Sequence, residues 1–203
     1  MNKTLVYKYC NNVLRSAKLP RQSIPLPAAS LYSIRPYSTQ KPSSGYRMVS
    51  NRPPNEMVYL PGILSPSRSF GVFRKVIHTG LYSQFVAMEI PVNGEIGDEK
   101  HAVDQVLLFT HGTGKAIVAG KEQVVKQGDV VIVPAGTQHQ FLNVGDVPLE
   151  VVTIYSPAEH DPRTVHATKE EGDRQEEKGE DEPPLWSQRG KEENERLGIV
   201  RIE

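Results

Sequence analysis

Between residues 72 and 155, short β-branched and aromatic runs alternate with glycine, proline and aspartate at close intervals. The runs are 72–78, 84–91, 103–110, 115–118, 122–126, 130–133, 138–143 and 149–155. Runs this short, separated by turn residues, predict an antiparallel all-β sandwich or barrel rather than alternating strands and helices. Gly80, Gly112, Gly120, Gly128 and Gly145 fall between the runs, where a positive φ or a tight approach is most often needed. The interior is therefore expected to be a small closed β-barrel or jelly roll.

Outside that stretch the pattern changes in kind. Residues 1–55 carry Lys3, Lys8, Arg15, Lys18, Arg21, Arg35, Lys41, Arg47 and Arg52, and Glu56 is the first acid of the chain. Val6, Cys10, Val13 and Leu14 share one helical face with Lys8, Arg15 and Lys18 elsewhere, the amphipathic and acid-free signature of a mitochondrial transit peptide. Arg35-Pro36-Tyr37-Ser38-Thr39 resembles the site at which matrix processing proteases cut, so the mature chain is expected to begin near Ser38 in the mitochondrial matrix. Residues 169–196 are dominated by charged residues and Gln, with Pro183-Pro184 interrupting any helix. Such a segment cannot bury enough apolar surface to fold alone. Leu185, Trp186 and Leu197-Gly198-Ile199-Val200 are its features suited to docking. The expected organisation is a transit peptide over 1–37, a linker over 38–55, a barrel domain over 56–168 with its motif core at 94–143, and a charged, largely disordered tail over 169–203.

Composition narrows the classes further. A chain of 203 residues holds one ordinary domain plus tails, and 37% hydrophobic residues sit below the usual globular share. The single Cys10 excludes a disulfide framework and a cysteine-based metal cluster. No apolar run approaches the ~20 residues that span a bilayer, so no membrane partner is expected. Twenty-four basic and 24 acidic residues balance, and the basic N-terminal residues lack the aromatic and glycine pattern of a nucleic-acid module. No nucleic-acid partner is expected either.

Two stretches carry chemistry. One contains Glu99-Lys100-His101 and Gln105, with Gly112 after six intervening residues; the other runs from Gly128 through Pro134-Ala135-Gly136 to His139 and Asn143. This sequence resembles the cupin superfamily, whose first motif has two histidines one residue apart, then a glutamate and a glycine. Its second motif is glycine, five residues, Pro-x-Gly, two residues, histidine, three residues, asparagine. The second motif matches at every fixed position. In the first, Glu99 replaces the first histidine, His101 keeps the second, and Gln105 replaces the glutamate. The resemblance covers about residues 70–157 and is to small single-domain type-2 cupins, similar to bacterial mannose-6-phosphate-isomerase-like cupins. It implies a double-stranded β-helix and places one divalent metal ion at Glu99, His101, Gln105 and His139. Cupin-type phosphomannose isomerases are similar in surrounding zinc with Gln, His, Glu and His, with Gln and Glu in exchanged positions.

Spacing independently favours that set. Residues 99, 101 and 105 share parity, so on one strand they face one way, with Asp98 and Asp104 opposite. Two imidazoles, one carboxylate and one amide form a mixed nitrogen and oxygen site near net charge −1, suited to Zn, Mn, Fe or Ni. The alternative is that His101 and His139 fill the barrel as polar groups without metal. Asn143 is expected to fix the turn after its strand, and Asp129 to form a turn. Phe85, Phe109 and Phe141 are expected in the core, His78 and His111 in structural or exposed positions. The run 154–160 and the run 164–169 resemble the ending of small cupins that folds over the barrel. His160, His166 and Lys169 are expected at the surface, with a substrate-facing role as the alternative.

Function stays open among three classes at this level: an isomerase-like enzyme acting on a sugar or other small polar metabolite, an Fe(II) dioxygenase, and a non-catalytic binding or assembly module. A small-molecule substrate and a homodimer formed through exposed sheet edges are the expected partners. Catalytic residues beyond the metal set are not specified by the sequence.

Overall fold

A computed structural model describes residues 51–65 and 69–202. The transit-peptide expectation for residues 1–37 lies outside the described residues. Ten strands follow in order: β1 Arg74–Thr79, β2 Gln84–Ile90, β3 Glu95–Glu99, β4 Asp104–His111, β5 Thr113–Val118, β6 Lys121–Lys126, β7 Val130–Val133, β8 His139–Asn143, β9 Leu149–Ser156 and β10 Val165–His166. They form two antiparallel sheets, β10-β1-β2-β9-β4-β7 and β3-β8-β5-β6. The eight runs expected from the sequence all contain strands, and β3 and β10 are additional. In β3 only Ile96 is a large apolar residue, and β10 is two residues long, so neither shows the periodicity by which a strand is recognised.

The period of two decides what the barrel encloses. On β4, Gln105, Leu107 and Phe109 are buried at alternating positions, and on β9 Leu149, Val151 and Tyr155 belong to the same core. Ile96, Ala116 and Phe141 of the smaller sheet close on them. Of the three expected core phenylalanines, Phe109 and Phe141 are 1% and 0% exposed, whereas Phe85 is half-buried. Register turns this alternation into rows across the large sheet. Arg74, Met88, Val151 and Phe109 lie in one cross-strand row. At one end of the barrel the row is polar: Thr79, Gln84, Tyr155 and Gln105.

The segment expected as a disordered tail is folded. Helix α1, Lys169–Glu177, is followed by a 3-10 turn, Leu185–Gln188, and helix α2, Lys191–Arg196. Thr168 caps α1 by accepting from the Glu171 amide, and the Glu171 carboxylate accepts from the Ala167 amide. Composition misjudges this segment because its anchors are polar groups paired with the barrel rather than an apolar core of its own. Buried Arg74 of β1 pairs with Glu176 of α1, Asp181 accepts from the Thr164 hydroxyl, and Gln188 Nε2 donates to the Ala158 carbonyl at 2.7 Å. Trp186, Ser187 and Asn194 are buried. Gly172 lets α1 lie on β10, since a Cβ there would meet His166 Nδ1 at 3.0 Å. Gln84 clamps the crossing into this cap. Its Nε2 donates to Thr79 Oγ1 at 2.9 Å and to the His160 carbonyl at 2.7 Å, and its Oε1 accepts the amides of Glu159 and His160 at 3.2 and 3.0 Å.

Candidate metal centre

The strand pairings bring the two motifs together at the polar end of the barrel. Glu99 pairs with His139 between β3 and β8, across an irregularity at Gly97. Gly97 has φ 73°, and a Cβ there would meet the His139 carbonyl at 2.9 Å, so glycine is what permits the bulge that sets Glu99 beside His139. The Pro134-Ala135-Gly136 turn then holds the loop of the first motif. The Gly136 amide donates to the His101 carbonyl at 2.8 Å and the Ala135 amide to Asp104 Oδ1 at 2.9 Å.

The ligand atoms of Glu99, His101 and His139 lie within 4.8 Å of one another. Glu99 Oε1 stands 3.1 Å from His101 Nε2 and 3.6 Å from His139 Nε2. Two donors each about 2 Å from one ion lie about 3–4 Å apart, so these separations suit a shared cation. The ring orientations agree. The Thr137 carbonyl, which only accepts, takes a hydrogen bond from His139 Nδ1 at 2.9 Å. That fixes the hydrogen on Nδ1 and leaves Nε2, buried and without a protein partner, as a lone pair facing Glu99. Glu159 Oε1 accepts from His101 Nδ1 at 2.9 Å, which turns Nε2 toward the same point, where it meets Glu99 Oε1 at 3.1 Å.

Gln105 reaches this end from the other sheet. Its Nε2 donates to Tyr155 Oη at 3.0 Å, and its Oε1 is buried without a partner. The Tyr155 ring meets the His101 ring edge-on at 5.4 Å. An orphaned amide oxygen and an orphaned imidazole nitrogen are what a metal site leaves when its protein atoms alone are counted, and the residues present fit a divalent ion.

The one-strand premise of the parity argument does not hold. Glu99 ends β3 in the small sheet, His101 lies in the loop beyond it, and Gln105 is on β4 in the large sheet. Asp98 and Asp104 do point away, toward Gln138 Nε2 and the Ala135 amide.

Charge follows from the geometry. Burial opposes ionisation of Glu99, but His101 and Arg74 outweigh it and hold the carboxyl well below the usual range. Burial likewise lowers His101, and Glu159 and Glu99 overcome it, raising the imidazole to about 9. Burial pushes the Tyr155 phenol up, so it keeps its proton.

Several side chains around the centre were not legible as functional. Glu159 and Tyr155 fell within the 154–160 run without a role of their own, and the cross-strand register that brings Tyr155 to Gln105 is not written in either run. His160 and His166, expected at the surface, are 1% and 0% exposed because the folded cap covers them. Burial and Arg74 push the His160 imidazole down; its neutral ring still donates from Nδ1 to Asp181 at 2.8 Å. Asp181 is ionised: burial raises it, yet His160, the Thr164 hydroxyl and the Asp161 amide outweigh that and bring it to about 2. Lys169 is partly exposed and pairs with Asp173. Asn143 plays the expected turn-fixing part, with Nδ2 donating to the carbonyls of Ile90, Pro91 and Val147 and Oδ1 accepting the Gly145 amide. Asp129 accepts from the Lys126 amide within its turn.

A cavity of about 360 Å³ opens beside Glu99 and His101 toward the cap. A larger depression of about 590 Å³ lies elsewhere, near Phe73, Asn93 and Lys169, and contains no imidazole. The chemistry therefore sits at the smaller one.

Comparison with known proteins agrees with this reading of the fold. Residues 86–155 match the family model described as the cupin domain. The chain is 33% identical over 119 residues to the uncharacterised protein YrkC of Bacillus subtilis, covering 55% of this chain and 63% of that protein. It therefore spans less than two thirds of that relative. An uncharacterised protein of Acanthamoeba polyphaga mimivirus is 31% identical over 123 residues, 58% of this chain and 75% of that protein. Among solved structures, BH2720 from Bacillus halodurans aligns with a TM-score of 0.56 at 29% identity, over 59% of this chain and 96% of that one.

Proposed function

The chain belongs to the cupin superfamily, and from that premise we propose that it is a metal-binding enzyme of the mitochondrial matrix, isomerase-like, acting on a sugar or other small polar metabolite. Glu99, His101, His139 and Gln105 would hold one divalent ion. The observation that carries the reading is the pair of imidazoles whose Nδ1 atoms are committed to Glu159 and Thr137 while both Nε2 atoms face the Glu99 carboxylate. When bound, the ion supplies Lewis-acid polarisation of a hydroxy-carbonyl group. The protein does the positioning: Glu159 and the Thr137 carbonyl orient the two imidazoles, and Gln105 holds the Tyr155 oxygen. Tyr155, kept protonated by burial, backs the His101 ring edge-on.

A second reading rests on the same three residues. Two imidazoles and one carboxylate are also the donor set of non-haem iron oxygenases, which keeps an Fe(II) dioxygenase in view. Elemental analysis of protein purified without chelator or air separates the two. Zinc or manganese near one equivalent supports the isomerase-like reading, iron the dioxygenase, and no metal after reconstitution refutes both. His139→Ala is expected to lose most of the bound metal while keeping its far-ultraviolet β-sheet spectrum; equal metal content in variant and parent would refute the site.

A further inference from the structure

The chamber beside the metal centre has walls of two origins. One is Glu99, Lys100 and His101; the other comes from residues 159–183, the stretch that crosses into the cap and folds over the barrel end. Five carboxylates line it, those of Glu99, Glu159, Glu176, Asp181 and Glu182, against the single ammonium of Lys100. Arg74 pairs with Glu176 from behind. With a divalent ion in place, both positive side chains counted and the imidazoles neutral, one negative charge is left over.

Hydrogen-bonding capacity points the same way. His160 lines the chamber, is 1% exposed, and commits Nδ1 to Asp181, which leaves Nε2 as a buried acceptor with no partner. Carboxylate oxygens accept and do not donate, so the wall presents acceptors in excess. A phosphate or carboxylate entering it would meet like charge and few donors. A molecule rich in N–H and O–H groups would satisfy the wall and the His160 nitrogen together.

We propose that this chamber takes a small hydroxylated molecule carrying a protonated amine, and discriminates against phosphorylated and carboxylated ones. The inference rests on the metal reading above and names the substrate class for the same site. The cap is then the specificity element: Glu176, Asp181 and Glu182 belong to it, whereas the barrel supplies one carboxylate, Glu99, together with the two positive side chains Lys100 and Arg74.

Three compounds of nearly equal size test it on the full chain loaded with cobalt(II): ethanolamine, ethylene glycol and glycolate. Cobalt uptake is measured first by metal content; absence of uptake refutes the metal reading alone, and the three titrations then proceed by calorimetry on the metal-free protein. With cobalt bound, perturbation of its visible absorption reports each affinity. Glycolate has an intrinsic advantage as a metal ligand, so the readout is the change on reversing one wall charge. Glu182 is exposed at the chamber rim, and Glu182→Lys is expected to move the ethanolamine-to-glycolate affinity ratio about tenfold toward glycolate. Ethylene glycol should be unaffected, and Glu182→Gln should fall between. An unmoved ratio, a ratio moved the other way, or no binding of any of the three to the parent protein would overturn the proposal.

Discussion

At the scale of single residues, the centre depends on which nitrogen of each imidazole is spoken for. His101 has carboxylates at both ring nitrogens, and the one at Nδ1 is Glu159, 58 residues further along the chain. A glutamine there keeps an acceptor oxygen but removes the charge that favours an Nδ1 proton. Glu159→Gln is therefore expected to weaken metal binding by about 10- to 100-fold, measured by competition with a chromophoric chelator, without changing the β-sheet spectrum. An unchanged affinity would mean that Glu159 does not support the ligand. Glu99, His101 and His139, whose candidate ligand atoms the fold brings within 4.8 Å of one another, were readable because each sits in a motif of fixed local spacing. Glu159 was not, because its partnership is made by tertiary closure and leaves no local pattern. The parity of residues 99, 101 and 105 does not describe their placement: they occupy a strand end, a loop and a strand of the other sheet.

At the scale of elements, the cap is where sequence and structure part company. Strands are announced by alternation, and the eight runs with that alternation all contain strands. The cap has almost no apolar periodicity and is held by ion pairs and hydrogen bonds to the barrel, so composition reads it as solvated. Its stability should accordingly be titratable. Asp181 has its pKa depressed from 3.8 to about 2, so it contributes stability that is present above 3.8 and lost as pH falls toward about 2. The shift corresponds to on the order of 2 kcal/mol. Trp186 is the single tryptophan and is 9% exposed within the cap, so its fluorescence reports this element. Between pH 4 and pH 2 its emission should shift to the red before the β-sheet signal changes, and Asp181→Asn should show no separate transition in that window. A tryptophan signal that moves only together with the sheet would show that the cap has no stability of its own to lose.

At the scale of the whole molecule, the barrel class followed from run length and turn residues, whereas the order of strands in the two sheets did not, because register between distant runs is settled by packing. The N-terminal 37 residues carry an expectation of a different kind, an address rather than a fold. Terminal sequencing of the chain recovered from cells should find Ser38 at or near its start; a chain beginning at Met1 or Asn2 would refute the cut. Within the described residues, the amide of Gln84 uses both of its N–H groups and accepts two more hydrogen bonds on its oxygen, and all but the bond to Thr79 reach the backbone at 159–160. That clamp sets a timetable. The β2 strand that bears Gln84 emerges from the ribosome long before Glu159 does, so the motif residues exist as a peptide well before their outer support exists. A complete ion site thus waits on synthesis past residue 159, and a nascent barrel halted short of that point would hold its ligands without the carboxylate that orients the first imidazole.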